Sequence, residues 1–165
     1  MNNGSFRTKG GDRIALPAGV PFHRLASMDD DWPYKGKTDH TFPQNLGYRY
    51  KGYTLDAQRR PTFSYRYGEI DVTDFFEDVV DAEGQAYFRR RVQFTATKAQ
   101  APFYFRVAAG KNVSSPSVGN YQVERLHVRV VRGDTAMVRD GEPSEVLLPV
   151  TLPPGKTTVV LEYQW

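Results

Sequence analysis

A chain of 165 residues is the size of one domain and buries roughly two thirds of its unfolded surface, so its core needs neither disulfides nor a metal. Hydrophobic residues make up 39% and charged residues 25%, and 22 Lys+Arg against 19 Asp+Glu leave only +3, which excludes a strongly basic nucleic-acid-binding or membrane-surface protein. Zero cysteines exclude disulfides, thiolate nucleophiles, Cys-ligated zinc or iron–sulfur, and Cys-x-x-Cys-His haem attachment within the chain.

Glycine and proline punctuate the sequence about every ten residues, and the segments between them alternate with period 2. Residues 1–45 form an irregular N-terminal segment: residues 13–16 and 22–26 read as short edge strands, and Pro17, Pro21, Pro33 and Pro43 interrupt the rest. From Leu46 the pattern sharpens into a sandwich core spanning 46–165. Tyr48 and Tyr50 share a face, Gly52 predicts a bulge, and Tyr53 and Leu55 follow in the shifted register. A polar turn at residues 56–61 reverses the chain into a strand with Phe63, Tyr65 and Tyr67 on one side. Ile70 and Val72 begin the next strand. The one helical candidate is 72–81, where Thr73 is an acceptable N-cap. Residues 88–97 place Phe88, Val92 and Phe94 opposite Arg89, Arg91 and Gln93, with Arg90 on the apolar side. Phe103, Phe105 and Val107 form another strand, residues 112–117 are loop by composition, and strands follow at 126–131, 136–139, 146–152 and 158–165. Nine or ten short strands without a convincing helix predict one all-β domain, an antiparallel two-sheet β-sandwich of jelly-roll or immunoglobulin-like type.

No catalytic motif is present. His23, His40 and His127 have no metal-pair spacing, and Asp29, Asp30, Asp31 and Asp39 lack the pattern of a calcium loop. Asp71, Asp74, Glu77 and Asp78 are the acids available to a glycoside hydrolase, a reading that needs two carboxyls roughly 5–9 Å apart. No catalytic, cofactor-binding or metal-ligating residue is therefore assigned. Two tryptophans, ten tyrosines and ten phenylalanines exceed what a core of this size requires, since a buried tyrosine must find a hydroxyl partner. The candidate ligand or partner face consists of Trp32, Tyr34, Tyr48, Tyr50, Tyr65 and Tyr67, for stacking sugar rings or docking a protein. Arg59, Arg60, Arg89 and Arg91 join it as a basic patch, with the alternative that these arginines pair with nearby acids.

Residues 50–65 (YKGYTLDAQRRPTFSY), then 68–75 (GEIDVTDF) and Phe88-Arg89-Arg90, resemble a domain of large secreted bacterial proteins. In those proteins the domain accompanies a c-type cytochrome domain and often a sorbosone-dehydrogenase-like β-propeller. The opening 14–22 and the closing 147–150 and 162–165 are similar too. The resemblance implies a non-catalytic binding and assembly module in the periplasm or outside the cell, with any haem on a partner such as a c-type cytochrome and none in this chain. Residues 1–7 lack the apolar core of a signal peptide, so an exported chain is expected to be a mature product or a fragment. No stretch approaches the roughly 20 apolar residues of a membrane span, and neither nucleic acid nor a transmembrane segment is expected. A carbohydrate-binding module is the alternative reading, and a glycoside hydrolase the third.

Overall fold

A computed structural model of the chain describes residues 5–7, 13–15, 17, 19–33, 43–100 and 102–165. Fourteen strands are found among these residues, with a single 3-10 turn at Pro43–Leu46. They are β1 Ser5–Arg7, β2 Arg13–Ala15, β3 Phe22–His23, β4 Tyr48–Leu55, β5 Pro61–Tyr67, β6 Ile70–Val80 and β7 Ala86–Ala96. Then come β8 Tyr104–Gly110, β9 Val113–Ser117, β10 Asn120–Val123, β11 Leu126–Arg132, β12 Met137–Arg139, β13 Ser144–Pro149 and β14 Gly155–Gln164. β1 and β2 pair with each other. The rest form an eight-stranded sheet ordered β4-β5-β6-β7-β14-β11-β10-β9 and a four-stranded sheet ordered β12-β13-β8-β3. Every pairing is antiparallel, and the two sheets make the predicted β-sandwich.

The alternation in the sequence becomes the two faces of the large sheet. Ile70, Val72, Val92, Phe94, Val159, Leu161, Tyr163, Val128 and Tyr121 point inward and are buried. In the small sheet Val146, Leu147 and Leu148 are buried consecutively, because β13 is covered on both sides. The outer cover comes from the segment 24–33: Trp32 lies under the Arg106 guanidinium, and Arg139 Nη1 donates to the carbonyls of Met28 (2.8 Å) and Asp30 (2.5 Å). The N-terminal segment therefore supplies core as well as edge, through Val20, Phe22, Leu25 and Trp32.

Three sequence expectations change. Residues 72–81 are not helical: β6 runs on to Val80, paired with β7 along its whole length, because its even-numbered positions continue the inward face. Residues 113–117, expected as loop, form the edge strand β9, where Pro116 is tolerated because one side of an edge strand carries no ladder. The strand β10, unread in the sequence, joins β9 to β11.

Three buried tyrosines find their hydroxyl partners on the opposite side of the sandwich. Tyr48 on β4 donates to the carbonyl of Phe22, Tyr121 on β10 to that of Ala136 (2.5 Å), and Tyr163 on β14 to that of Val107 (3.2 Å). Each bond links the large sheet to the small sheet or its connecting loop. Val107 is the residue left over where the β8–β13 register shifts, so its carbonyl is free for Tyr163.

The most expensive group in the interior is Arg90. Its side chain is buried, with Nε and Nη2 at 2.9 and 2.6 Å from the two carboxylate oxygens of buried Asp74. The guanidinium lies between the rings of Phe76 (4.8 Å) and Phe105 (4.9 Å). Burial pushes the Arg90 pKa down, but the Asp74 charge and its hydrogen bonds more than offset this, so the net shift is upward and the group stays charged. Removing one member of such a pair strands a buried charge. Asp74→Ala is thus expected to cost about 3–5 kcal/mol in urea unfolding, whereas the double variant Asp74→Leu/Arg90→Met loses less than about 1 kcal/mol or gains stability. Additive losses in the two single variants and the double would contradict this account.

Candidate functional site

The large sheet outreaches the small one. Strands β4 to β7 are two successive hairpins, and the second runs on past the Arg90–Asp74 pair to Val80 and Ala86. Across this wing the register places Tyr50 beside Tyr65, Tyr53 beside Phe63, Leu55 beside Pro61, and Asp78 beside Phe88. The Tyr50–Tyr65 and Tyr53–Phe63 rings are 5.5 and 6.1 Å apart, and Phe88 stacks on Trp165 at 5.3 Å. Tyr50 is 58% exposed, Tyr53 59%, Leu55 52%, Val80 66% and Trp165 39%. Isolated apolar side chains at a surface are ordinary, but a contiguous aromatic and aliphatic face is the mark of a contact site. Burial pushes the Tyr65 phenol up to about 12, so its hydroxyl remains a donor at neutral pH.

The hairpin tips share one construction. In the β4–β5 turn the Asp56 carboxylate accepts from the N–H groups of Gln58 (2.9 Å) and Arg60 (2.8 Å), and in the β6–β7 turn Asp81 accepts from those of Glu83 (3.1 Å) and Gln85 (2.7 Å). The fourth residue of each is left-handed: Gly84 in one, but Arg59 with φ +64° in the other. Arg59→Gly should relieve that strain and stabilise the protein by about 0.5–1 kcal/mol, raising Tm by roughly 1–4 °C in a calorimetric scan. A lower Tm would show that the Arg59 side chain, not the backbone, sets the turn.

The predicted ligand face is thus divided among three environments. Tyr50 and Tyr65 lie side by side on the inner face, Tyr50 exposed and Tyr65 half-buried against the core. Tyr48 and Tyr67 share that face by alternation but sit one step further in, buried and stacked on each other at 4.5 Å. Trp32, expected as a stacking surface, is buried with its indole N–H on the Val20 carbonyl (3.0 Å). Tyr34 lies outside the described residues, as do Asp39 and His40. Arg60, Arg89 and Arg91 occupy the opposite, outer face, and Arg59 is exposed at the tip of the turn.

The outer-face arginines form a ladder with acids. Arg60 binds Asp56 at 2.8 Å and reaches Glu77 at 3.9 Å, Arg91 lies 3.5 Å from Glu77, and Arg89 bridges Glu77 (3.9 Å) to Glu162 (2.9 Å). Arg129 Nε also donates to Glu162, at 2.8 Å. Burial would raise the Glu162 carboxyl, but hydrogen bonds from Arg129 and Arg89 outweigh it and hold it below its ordinary value. This is the paired alternative foreseen for these arginines. The β6 acids are not gathered into one group. Asp71 and Glu77 face outward in ion pairs, Asp74 is committed to Arg90, and Asp78 lies four positions along the same strand, about 13 Å beyond Asp74. Asp30 likewise spends its carboxylate on the N–H groups of Ala26 (2.7 Å) and Ser27 (3.2 Å).

Sequence reading did not place Tyr53, Leu55, Phe63 and Trp165 in the candidate face. Their shared face was legible from alternation, but how far each would be buried was not.

Where β3 meets β4, His23 Nδ1 lies 2.9 Å from the Tyr48 hydroxyl, which itself donates to Phe22, so the imidazole N–H is the donor to the Tyr48 oxygen. The ring also packs against Tyr67 (5.4 Å) and Trp32 (6.5 Å). Burial, and secondarily the Arg24 charge, lower the His23 pKa below 6.5. The unfolded chain then binds the proton more readily, so this contribution to stability is complete above pH 6.5 and is lost as pH falls below it toward the folded pKa. The urea midpoint should drop between pH 7.5 and 5.5 in the native protein and drop less in His23→Phe. Equal slopes would rule the histidine out.

The fold and site together define an antiparallel β-sandwich of unequal sheets whose larger sheet presents an aromatic wing. No family model matches the chain, and no curated protein matches it. Among the described residues no helix is long and apolar enough to cross a membrane.

Proposed function

We propose that the protein is a non-catalytic binding and assembly module that docks another protein on the inner face of its β4–β7 wing. The observation that carries this reading is the composition of that face: tyrosine, phenylalanine and tryptophan alternate with Leu55, Pro61 and Val80, and charge is nearly absent, as in the centre of a protein–protein contact. A polysaccharide site would use aromatic rings too, but it needs a surrounding set of polar groups to bond the sugar hydroxyls, and the aliphatic positions here offer none. For that reason assembly is preferred over carbohydrate binding. The resemblance to domains of secreted cytochrome-containing proteins supports an exported setting and a haem-carrying or electron-transfer partner. With no cysteine, covalent haem attachment of the Cys-x-x-Cys-His kind falls to that partner.

The test is purification of the native complex from its source, with the native chain and with Tyr53→Ser/Leu55→Ser compared by absorbance in the haem region and by mass. The native chain should bring down a stoichiometric partner and the double variant should lose it, with an unchanged circular dichroism spectrum. A chain that is always free, or binding to polysaccharide that the same variant abolishes, would overturn the reading.

A further inference from the structure

The outer face of the large sheet is balanced in charge at one end and not at the other. At the balanced end Arg60, Arg89, Arg91 and Arg129 each reach Glu77 or Glu162. Toward the other end Arg49 stands directly across from Arg66, and Arg66 across from Asp71. Lys51 and Arg66 share the Asp71 carboxylate at 3.1 and 3.5 Å, and among the described residues no acid is paired with Arg49. In this cluster three exposed cations stand against one carboxylate. Like charges opposite each other on neighbouring strands work against the sheet, so the pairing of Arg49 with Arg66 does not serve the fold.

Beside the cluster a row of short polar side chains crosses the sheet. The ladder sets Gly52 next to Ser64, Ser64 next to Thr73, Thr73 next to Gln93 and Gln93 next to Thr158. None of these four side chains holds a hydrogen bond among the described residues. At Gly52 the row ends in open space, where an atom in the Cβ position would have no neighbour within 4 Å. Strands lie about 4.8 Å apart, so the row offers hydroxyl and amide groups at close to the interval of successive sugars in an extended chain. The row and the cluster contain no aromatic or aliphatic side chain, which the centre of a protein contact needs. A ligand both anionic and rich in hydroxyls fits them: its carboxylates take guanidinium through two parallel N–H groups, and its hydroxyls meet the row.

We propose that this end of the outer face binds a linear polysaccharide of uronic acids, its carboxylates on Arg49, Lys51 and Arg66 and its hydroxyls along Ser64, Thr73 and Gln93. The site lies on the other side of the sheet from the proposed docking face and does not rest on that reading. The experiment titrates the ¹⁵N-labelled full chain at low salt with a galacturonic acid hexamer, a neutral glucose hexamer, and acetyl-hexaglutamate-amide, which keeps the carboxylates and removes the sugar. The galacturonate should shift the amide signals of Ser64, Thr73 and Gln93, the glucose hexamer should shift none, and hexaglutamate should bind roughly fivefold more weakly or less, the difference being the hydroxyl contacts. Arg49→Gln/Arg66→Gln should weaken galacturonate binding about tenfold, the worth of two exposed ion pairs, and Thr73→Val about two- to tenfold with the charge unchanged. Tyr53→Ser/Leu55→Ser should bind galacturonate like the native chain, so the two faces fail separately. Without ligand, Arg49→Gln should keep or raise the urea midpoint, because it removes the like-charged neighbour of Arg66. A lowered midpoint would show that Arg49 serves the fold and would overturn the proposal. So would no binding, equal binding of the glucose hexamer or of hexaglutamate, or shifts confined to the Glu77–Glu162 end.

Discussion

A guanidinium inside a protein loses several kcal/mol of hydration, so Arg90 is tolerated only with a carboxylate in two-point contact and aromatic rings above and below. That requirement orders much of the sandwich. Asp74 comes from β6, Arg90 from β7 and Phe105 from β8, so one group ties a hairpin of the large sheet to the centre of the small one. A one-residue slip of β7 against β6 would turn Arg90 to the outer face and leave Asp74 alone in the interior, so the pair pins the register of the two longest strands. On the small-sheet side it is Phe105 that closes over the guanidinium.

The tyrosines solve a related problem. Their rings fill the space between the sheets, and their hydroxyls must then be satisfied in an apolar layer. Tyr48, Tyr121 and Tyr163 reach main-chain oxygens across the layer, at an edge strand, a loop before an edge strand, and a bulge. These are places where the small sheet has carbonyls not committed to its own ladder. The irregularities of the small sheet and the polar ends of the large sheet's tyrosines are complementary, and the face left for binding is the part of the aromatic load that found no such partner.

How much of this was readable beforehand depends on the distance over which each feature is decided. Alternation within a strand is local, so the faces of β7 and β14, the bulge at Gly52 and the inward position of Arg90 were legible in the residues themselves. The outward pairing of Arg89 and Arg91 was foreseen as an alternative because the acids are close in number. Burial of Tyr48 and Tyr67, half-burial of Tyr65 and exposure of Tyr50 were not legible, because the four residues are equivalent by period and differ only in what lies above them. Trp32 was misjudged for a similar reason: its acidic, proline-bordered segment reads as a surface loop, and only the folded chain shows it lying over Arg106. At β6 residues 72–81 offered a turn of helix, yet the acids alternate between the two sides of a strand: Asp74 inward on Arg90, Glu77 outward among three arginines, Asp78 exposed.

The position of β14 has a consequence for how the chain reaches this state. Residues 155–164 are the last strand in sequence but lie in the middle of the eight-stranded sheet, between β7 and β11. Until they are available, the β4–β7 hairpins and the β9–β11 strands are separate ribbons that share no hydrogen bonds, and both β7 and β11 present an unpaired edge. Closure of the large sheet is therefore a late, non-local step, joining segments about 70 residues apart such as Arg89 and Glu162. During that interval β7 offers a long, half-apolar ladder to any other extended chain nearby. Arg89, a charge on the outer face of that edge, works against such pairing before Glu162 arrives to neutralise it.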